Sequence, residues 1–231
     1  MSLQNKIPHQ TEFHRNRSAF KALEEKIIPS FTTFPIAIAS IGCSDGREAY
    51  SVLLQHWADR DRLRIAGYDI DQNVINVAKN SEYEIGYEFE EYKWIRSLNI
   101  HEGEAYTEKI FWRYDMKTAK ISMSKDAKKH TKFKRGNIQS GPIPGNYDII
   151  LALNLLYHFP ETERGRILEN IFVSLNKGGW LVCESDPSWM GCHGYAKWMK
   201  DITKFGFEKQ TEIDSDFSQV YRKICQKPSS L

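Results

Sequence analysis

Ile36-Ala-Ile-Ala-Ser-Ile41, then Gly42-Cys-Ser-Asp-Gly-Arg-Glu48, then Ala49-Tyr-Ser-Val-Leu-Leu54, is the stretch that decides the fold. The first run is short, rich in Ile and ends at a glycine, which predicts a buried parallel strand. The residues beyond the turn are apolar at helical spacing, so the three segments read as strand, glycine turn and helix. A second apolar run, Leu63-Arg-Ile-Ala-Gly-Tyr68, ends in Asp69-Ile-Asp71. That sets a carboxylate at a strand end roughly 20 residues past the glycine turn, where a ribose diol is held in nucleotide folds. Together these runs predict a nucleoside-binding α/β domain.

The charges in the turn narrow the ligand. A pyrophosphate needs bare backbone N–H groups at a helix N-terminus and no nearby anion. Here the G-x-G-x-x-G fingerprint is missing; the spacing is G-x-x-x-G, with Asp45 inside the turn and Glu48 just after it. Two carboxylates repel a pyrophosphate and suit a ligand that carries an ammonium and a sulfonium, which describes S-adenosylmethionine. Acidic residues in a first helical turn also simply offset the helix dipole; Asp69 beyond the next strand favours the ligand reading. The same letters spell G-x-S-x-G, the hydrolase nucleophile elbow. Only about 40 residues precede Ser44, too few for the earlier strands of that sheet.

The chain has 231 residues, which suits one domain with an embellishment. Lys+Arg number 32 and Asp+Glu 30, a balance that gives no reason to expect nucleic acid. The local run Lys125-Asp-Ala-Lys-Lys-His-Thr-Lys-Phe-Lys-Arg135 is basic, either a solvated loop or a docking surface for an acidic partner. Cys43, Cys183, Cys192 and Cys225 form no C-x-x-C pair. Cys183, Cys192 and His193 lack a fourth ligand at regular spacing, so no metal is expected. No signal peptide and no membrane-spanning run is evident, so a cytoplasmic location without membrane insertion is expected.

Along the chain, residues 1–30 form an N-terminal helical segment, with Phe20–Ile28 a short helix that stops before Pro29. Residues 31–231 carry the α/β domain. The strand–helix alternation lapses over 86–130, which is read as an inserted α+β subdomain. It holds a helix at Glu90–Ile100 and a hairpin of Ile110–Tyr114 and Ala119–Met123 about Asp115–Thr118. The alternation resumes with strands at Thr131–Ile138 and Tyr147–Leu153, and a helix at Glu161–Leu175 closed by Lys177-Gly-Gly179 as a C-cap. A strand at Trp180–Glu184, a helix at Tyr195–Phe205 and a final strand at Phe217–Cys225 follow.

This pattern resembles the class I S-adenosylmethionine-dependent methyltransferases, and more narrowly the chemotaxis receptor methyltransferase family, CheR. Gly42-Cys-Ser-Asp-Gly-Arg-Glu-Ala-Tyr-Ser51 is similar to that family's G-C-S-x-G-E-E-x-Y-S. Thr11-Glu-Phe-His-Arg15 is similar to T-x-F-F-R, and Gly67-Tyr-Asp-Ile-Asp71 to A-T-D-I-D. Phe133-Lys-Arg-Gly-Asn-Ile138 resembles F-x-x-x-N-L, and Val220-Tyr-Arg-Lys223 the closing V-Y-R-K. The resemblance implies a Rossmann-like sheet with helices on both faces. It implies that Gly42, Ser44 and Glu48 line the methionine end of the cofactor, that Asp69 holds the ribose and that Asn137 holds the adenine. Thr11, Cys43, Gly46, Ile70, Ile138, Asn154 and Leu155 complete the implied cofactor set. Arg15, beside the cofactor carboxylate and the acceptor, and Asn154 form the implied catalytic group; His158, close behind the Asn154 strand end, is added as a candidate catalytic base on its position alone. By their own spacing alone Asn137 reads as a turn residue and Arg15 as a surface residue.

The chain also departs from the family. Ala152-Leu-Asn154 stands where the family has C-R-N, so its arginine is Leu153 here, and its later tyrosine is His158. His14 replaces a phenylalanine, and the family's all-helical N-terminal domain is largely missing. Three functions therefore stay open. A glutamate carboxylate, with an unperturbed pKa of about 4.3, is ionised at neutral pH and needs a cation such as Arg15 but no base. A hydroxyl or amine on a small molecule must first lose a proton, which His158 would accept. The third is a cofactor-binding adaptor without turnover. A receptor cytoplasmic region is the implied partner of the first; the product in either enzyme is S-adenosylhomocysteine.

Overall fold

The computed structural model describes residues 11–85, 89–98, 112–184, 202–213 and 218–224. Helix α1 (Arg17–Ala22) runs on through a wide π turn at Leu23–Ile27 and a tight 3₁₀ turn at Ile28–Ser30. The helical path thus passes Pro29 instead of stopping before it. Phe20, Leu23, Ile27 and Ile28 are buried, so packing carries the path onward. The widened turn, in which the Ile28 N–H reaches the Leu23 carbonyl, eases the clash that a proline ring makes with an α-helical carbonyl.

Strand β1 (Ile36–Ile41) leads to helix α2 (Arg47–Gln55), a 3₁₀ turn at Trp57–Arg62, strand β2 (Leu63–Asp69) and helix α3 (Gln72–Asn80). Then come β3 (Glu82–Glu84), α4 (Glu90–Ser97), β4 (Trp112–Asp115), β5 (Lys120–Met123) and α5 (Lys125–His130). Strands β6 (Thr131–Arg135) and β7 (Tyr147–Ala152) precede helix α6 (Glu161–Ser174) and strand β8 (Leu175–Glu184). Strands β9 (Phe207–Lys209) and β10 (Ser218–Lys223) finish the described chain.

The seven-stranded sheet has the order β6-β2-β1-β7-β8-β10-β9. The five strands from β6 to β8 are mutually parallel, and β10 runs antiparallel to both β8 and β9. Ile36 and Ile38 belong to one apolar cluster with α1, α2 and α3, while Ala39 and Ile41 belong to a second with α6. Alternate residues of β1 thus serve opposite faces, each covered by helices. Burying each such Ile contributes roughly 1.5–3 kcal/mol. This is the expected α/β sheet with helices on both faces. The chain leaves β1 toward β2 and β6, then returns to place β7 on the other side of β1. The crevice beyond the carboxyl ends of β1 and β7 is the topological switch point, where open α/β sheets bind ligands.

Lys177-Gly-Gly179 does not cap α6. Helix α6 passes directly into β8, where Leu175 pairs with Tyr147 and Trp180 with Ile149, and the residues between bulge out with Gly178 at φ +70°. The end of the helix is satisfied from another strand: the Lys223 ammonium donates to the carbonyls of Phe172 (2.7 Å) and Leu175 (2.6 Å). A second sheet of order β3-β5-β4 includes the expected hairpin, with Tyr114 opposite Ile121. Ile110, Asn99 and Ile100 lie outside the described residues. So do Cys192, His193, Cys225 and most of the helix expected at Tyr195–Phe205, whose last turn is a 3₁₀ turn at Ile202–Phe205. Among the described residues no helix is long and apolar enough to cross a membrane.

Candidate cofactor and active site

Because β6, β2, β1 and β7 are parallel, their carboxyl ends share one edge, and every expected cofactor residue except Thr11 and Arg15 follows one of those ends. Gly42 leaves β1 at φ +70°, and the N–H groups of Gly42 and Cys43 both donate to the Tyr68 carbonyl at the end of β2, at 2.7 and 3.0 Å. A Cβ on Gly42 would lie 2.8 Å from Leu155 Cδ1, so glycine lets the β1 and β7 loops touch. Gly46, at φ +89°, is the N-cap of α2; a Cβ there would lie 2.8 Å from both Ala78 and Phe133.

Two non-glycine residues in this crevice adopt left-handed backbone, Ser44 at φ +48° and Asn154 at φ +55°. Such conformations cost energy and gather where ligands are held. Ser44 is fixed by its N–H, which donates to Asp69 Oδ2 at 2.9 Å, and its hydroxyl is buried without a hydrogen-bond partner among the described residues. Asp69 is itself buried; Oδ1 accepts the Asp71 N–H at 2.9 Å, and its carbonyl accepts the Gly136 N–H at 2.9 Å. That last bond brings the Asn137 loop to the tip of β2. Asn137 Oδ1 accepts the Gln139 N–H at 3.0 Å, so the side chain also builds its own turn.

Three further expected residues have other partners. The Cys43 side chain points into the core against Gly67, and burial pushes its thiol pKa up, helped by Asp69 and Glu48. Ile138 is packed in the second apolar cluster, and its carbonyl accepts from Asn170. The Ile70 carbonyl accepts from Arg135 Nε at 3.0 Å.

Glu48 sits in the first turn of α2 and accepts the buried Ser40 hydroxyl at 2.8 Å. Its pKa is lifted from the usual 4.5 to about 7, chiefly by removal from water and with help from Glu184, while Ser40 and Arg15 oppose the rise. The sequence reading missed Glu184. Buried at the end of β8, its Oε1 accepts the N–H groups of Leu156 (3.1 Å) and Tyr157 (3.4 Å) and so holds the loop that carries Asn154 and His158. His158 sits in the 3₁₀ turn at Leu156–His158; its ring hydrogen-bonds the Asn154 backbone, and burial and Arg15 lower its pKa. Its imidazole is therefore neutral near pH 7.

The charge of Arg15 acts on both Glu48 and His158, so it lies within electrostatic reach of the β1 and β7 loops. The strap leading to it is pinned: the His14 N–H donates to Ser51 Oγ at 2.9 Å, and the Thr11 carbonyl accepts from Arg47 Nη1 at 3.2 Å. His14, at φ +55°, stacks its ring on Trp94 at 4.4 Å.

The residues fit S-adenosylmethionine on the structure's own terms. Carboxylates line the switch point, a buried serine hydroxyl lacks a partner among the described residues, and the loops after β1 and β7 each carry one non-glycine residue in left-handed backbone, Ser44 and Asn154.

Comparison with known proteins agrees. Residues 9–186 match the family model described as CheR methyltransferase, SAM binding domain. A chemotaxis protein methyltransferase of Vibrio anguillarum is 23% identical over 79% of this chain and 66% of its own length. One from Borreliella burgdorferi is 25% identical over 75% of this chain and 62% of its own length. The chain thus spans somewhat less than two thirds of these curated relatives. Among solved structures, a TehB-like SAM-dependent methyltransferase from Corynebacterium glutamicum aligns with a TM-score of 0.53 at 14% identity, covering 90% of this chain and 87% of its own. Human N-acetylserotonin methyltransferase, solved in complex with SAM, aligns with a TM-score of 0.54 at 14% identity, covering 90% of this chain and 51% of its own. At such identity the structures establish a shared fold, whereas the family model spans most of the sequence: the chain belongs to the CheR methyltransferase family, through that family's SAM-binding domain.

Proposed function

We propose that the crevice beyond β1 and β7 binds S-adenosylmethionine and that the protein methylates carboxylates of a protein acceptor. The acid-lined switch point, with Ser44 and Asn154 both in left-handed backbone, is the observation that carries this reading. Asp69 and the Asn137 loop would hold the nucleoside, and Gly42, Ser44 and Glu48 the cationic methionine end. The bound cofactor supplies an electrophilic methyl group on a sulfonium. An ionised acceptor carboxylate needs positioning more than proton removal. Arg15 offers the cation for it, and Glu184 anchors the loop that carries Asn154 and His158.

Family membership suggests a glutamate in the cytoplasmic region of a receptor as acceptor, and with it a cytoplasmic location. On this reading residues 1–30 are the N-terminal helical segment and residues 31–231 the catalytic domain. The insertion at 86–130 carries α4, β4, β5 and α5; β3, at Glu82–Glu84, joins its sheet from just before.

His158 favours a second reading. A neutral imidazole that donates one nitrogen to the Asn154 carbonyl keeps the other as a proton acceptor, which suits a hydroxyl or amine acceptor. Calorimetry with S-adenosylhomocysteine tests the pocket, and methyl transfer from labelled cofactor to a receptor cytoplasmic region tests the acceptor. With His158→Phe, carboxylate methylation survives and hydroxyl or amine methylation collapses. Tight cofactor binding without transfer to any acceptor class would instead favour the adaptor.

A further inference from the structure

Arg47 occupies a position that is glutamate in the family pattern, and it makes contacts that a glutamate would not. Its guanidinium donates to the Thr11 carbonyl at 3.2 Å and to both oxygens of Glu91, on helix α4, at 3.3 Å. Nε lies 3.3 Å from Asp45 Oδ2, inside the glycine turn. The same group packs over the rings of Phe13 (5.7 Å) and Tyr83 (5.1 Å). Glu91 completes the ring of contacts, since its Oε2 accepts the Phe13 N–H at 2.9 Å. The side chains of Arg47 and Glu91 are only 15% and 11% exposed, so water competes little for these bonds.

The connected groups belong to three parts of the chain. Thr11 and Phe13 form the strap that ends in Arg15; Asp45 belongs to the glycine turn; Glu91 belongs to the inserted segment, as does Trp94, which stacks on His14. We infer that Arg47 and Glu91 form a clasp through which helix α4 holds the strap and so seats Arg15 in the cofactor cleft. Arg47 is a positioning residue in this scheme, and the insertion becomes part of the active site without touching a reacting atom. The inference rests on the cofactor reading given above.

The test uses the full chain. S-adenosylhomocysteine is titrated by calorimetry into the parent, Arg47→Met, Glu91→Gln, the double variant, Arg47→Lys and a control, Arg60→Met. Arg60 pairs with Asp126 at 3.2 Å away from the cleft. Arg47→Met and Glu91→Gln should each weaken binding about tenfold. The double variant should be no worse than the poorer single one, because the two groups act as a unit. Arg47→Lys should recover part of the loss and Arg60→Met should bind as the parent does.

Hydrogen exchange gives a readout without cofactor. Protection of the Phe13 and His14 amides should fall in Arg47→Met while β1 and β7 keep theirs. Glu91→Gln is nearly isosteric and guards against a variant that fails to fold. Binding within twofold of the parent in both single variants overturns the clasp, as does unchanged protection of the strap. A parent that binds no S-adenosylhomocysteine overturns the cofactor reading, and with it the purpose assigned to the clasp, even where the exchange pattern is as expected.

Discussion

Glu48→Gln probes the electrostatics of the cleft by removing one carboxylate and little volume. Burial beside Glu184 lifts that carboxyl from 4.5 to about 7 despite the Ser40 hydrogen bond. Such a rise corresponds to roughly 3 kcal/mol. Below pH 4.5 the group is protonated in folded and unfolded chains alike. As pH rises from there, the unfolded chain loses the proton while the folded chain keeps it, so stability declines until about pH 7 and then levels off. The neutral amide of the variant carries no such penalty. The variant should therefore melt near the parent temperature at pH 5 and about 6–12 °C above it at pH 8, using the usual 2–4 °C per kcal/mol for a chain of this size. Its affinity for the cofactor should nevertheless fall, because the carboxylate that faces the cation is gone. In the parent at pH 7 about half of the molecules hold the Glu48 proton, given its pKa. Binding a cation drives that proton off, so S-adenosylmethionine should release about 0.5 proton per site. The assay is the dependence of calorimetric binding enthalpy on the buffer's heat of ionisation, and Glu48→Gln should abolish the dependence. Parallel melting curves for the two proteins across pH 5–8, together with no proton release by the parent, would refute the reasoning.

Asp69→Ala removes the acceptor for the Ser44 and Asp71 N–H groups; it should cost about 2 kcal/mol of stability and at least tenfold in S-adenosylhomocysteine affinity, and near-parental binding in a titration would contradict the pocket. Gly42→Ala forces a Cβ to within 2.8 Å of Leu155 at φ +70°; a denaturant melt should show a loss of about 1–2 kcal/mol. Glu184→Ala frees the Leu156 and Tyr157 amides, so methyl transfer should fall further than cofactor affinity. Losing that neighbouring carboxylate should also shift the Glu48 step in the melting profile to lower pH; a step that stays in place would mean that the two groups are not coupled.

What sequence could show followed local physics. The Ile36–Ile41 run, the glycine turn and the Asp69 terminus were readable because strand burial and left-handed glycine leave marks within a few residues. The hairpin of β4 and β5 was readable because its two strands and their turn follow one another in sequence. Glu184 left no such mark, because the amides it holds are 27 and 28 residues earlier in the chain and only the β7–β8 pairing brings them together. Lys177-Gly-Gly179 carried the composition of a helix C-cap, yet those residues form a bulge in β8 between the Leu175–Tyr147 and Trp180–Ile149 pairs, and a lysine on β10 closes the helix. The proline at position 29 misled in the opposite direction, since a π turn lets the helical path continue past it. Arg47 was visible only as a charge in the turn motif; its partners at positions 11 and 91 come from elements that meet through tertiary packing.

The raised Glu48 carboxyl also argues about what the crevice is for. Asp45 and Glu48 beyond β1, Asp69 at the end of β2 and Glu184 at the end of β8 lie on the same edge of the sheet, with β7 between β1 and β8, and the charges of two arginines act on them. Arg47 is committed to Thr11, Asp45 and Glu91. Arg15 moderates Glu48 but does not bring it back to an ordinary carboxylate. A site built only for structure would be more stable with glutamine in place of Glu48, and the same holds for a site that binds phosphate. A carboxylate kept half-protonated at neutral pH gains only when further positive charge enters beside it. That gain is greatest for a ligand that carries its cation at the methionine end, next to the helix turn where Glu48 sits. The electrostatic penalty in the free protein is then the counterpart of selectivity for a sulfonium and ammonium over neutral or anionic nucleosides. Adenosine should accordingly bind more weakly than S-adenosylmethionine, which carries both the sulfonium and the ammonium, by a factor that Glu48→Gln largely removes, and equal ratios in the two proteins would sink this account.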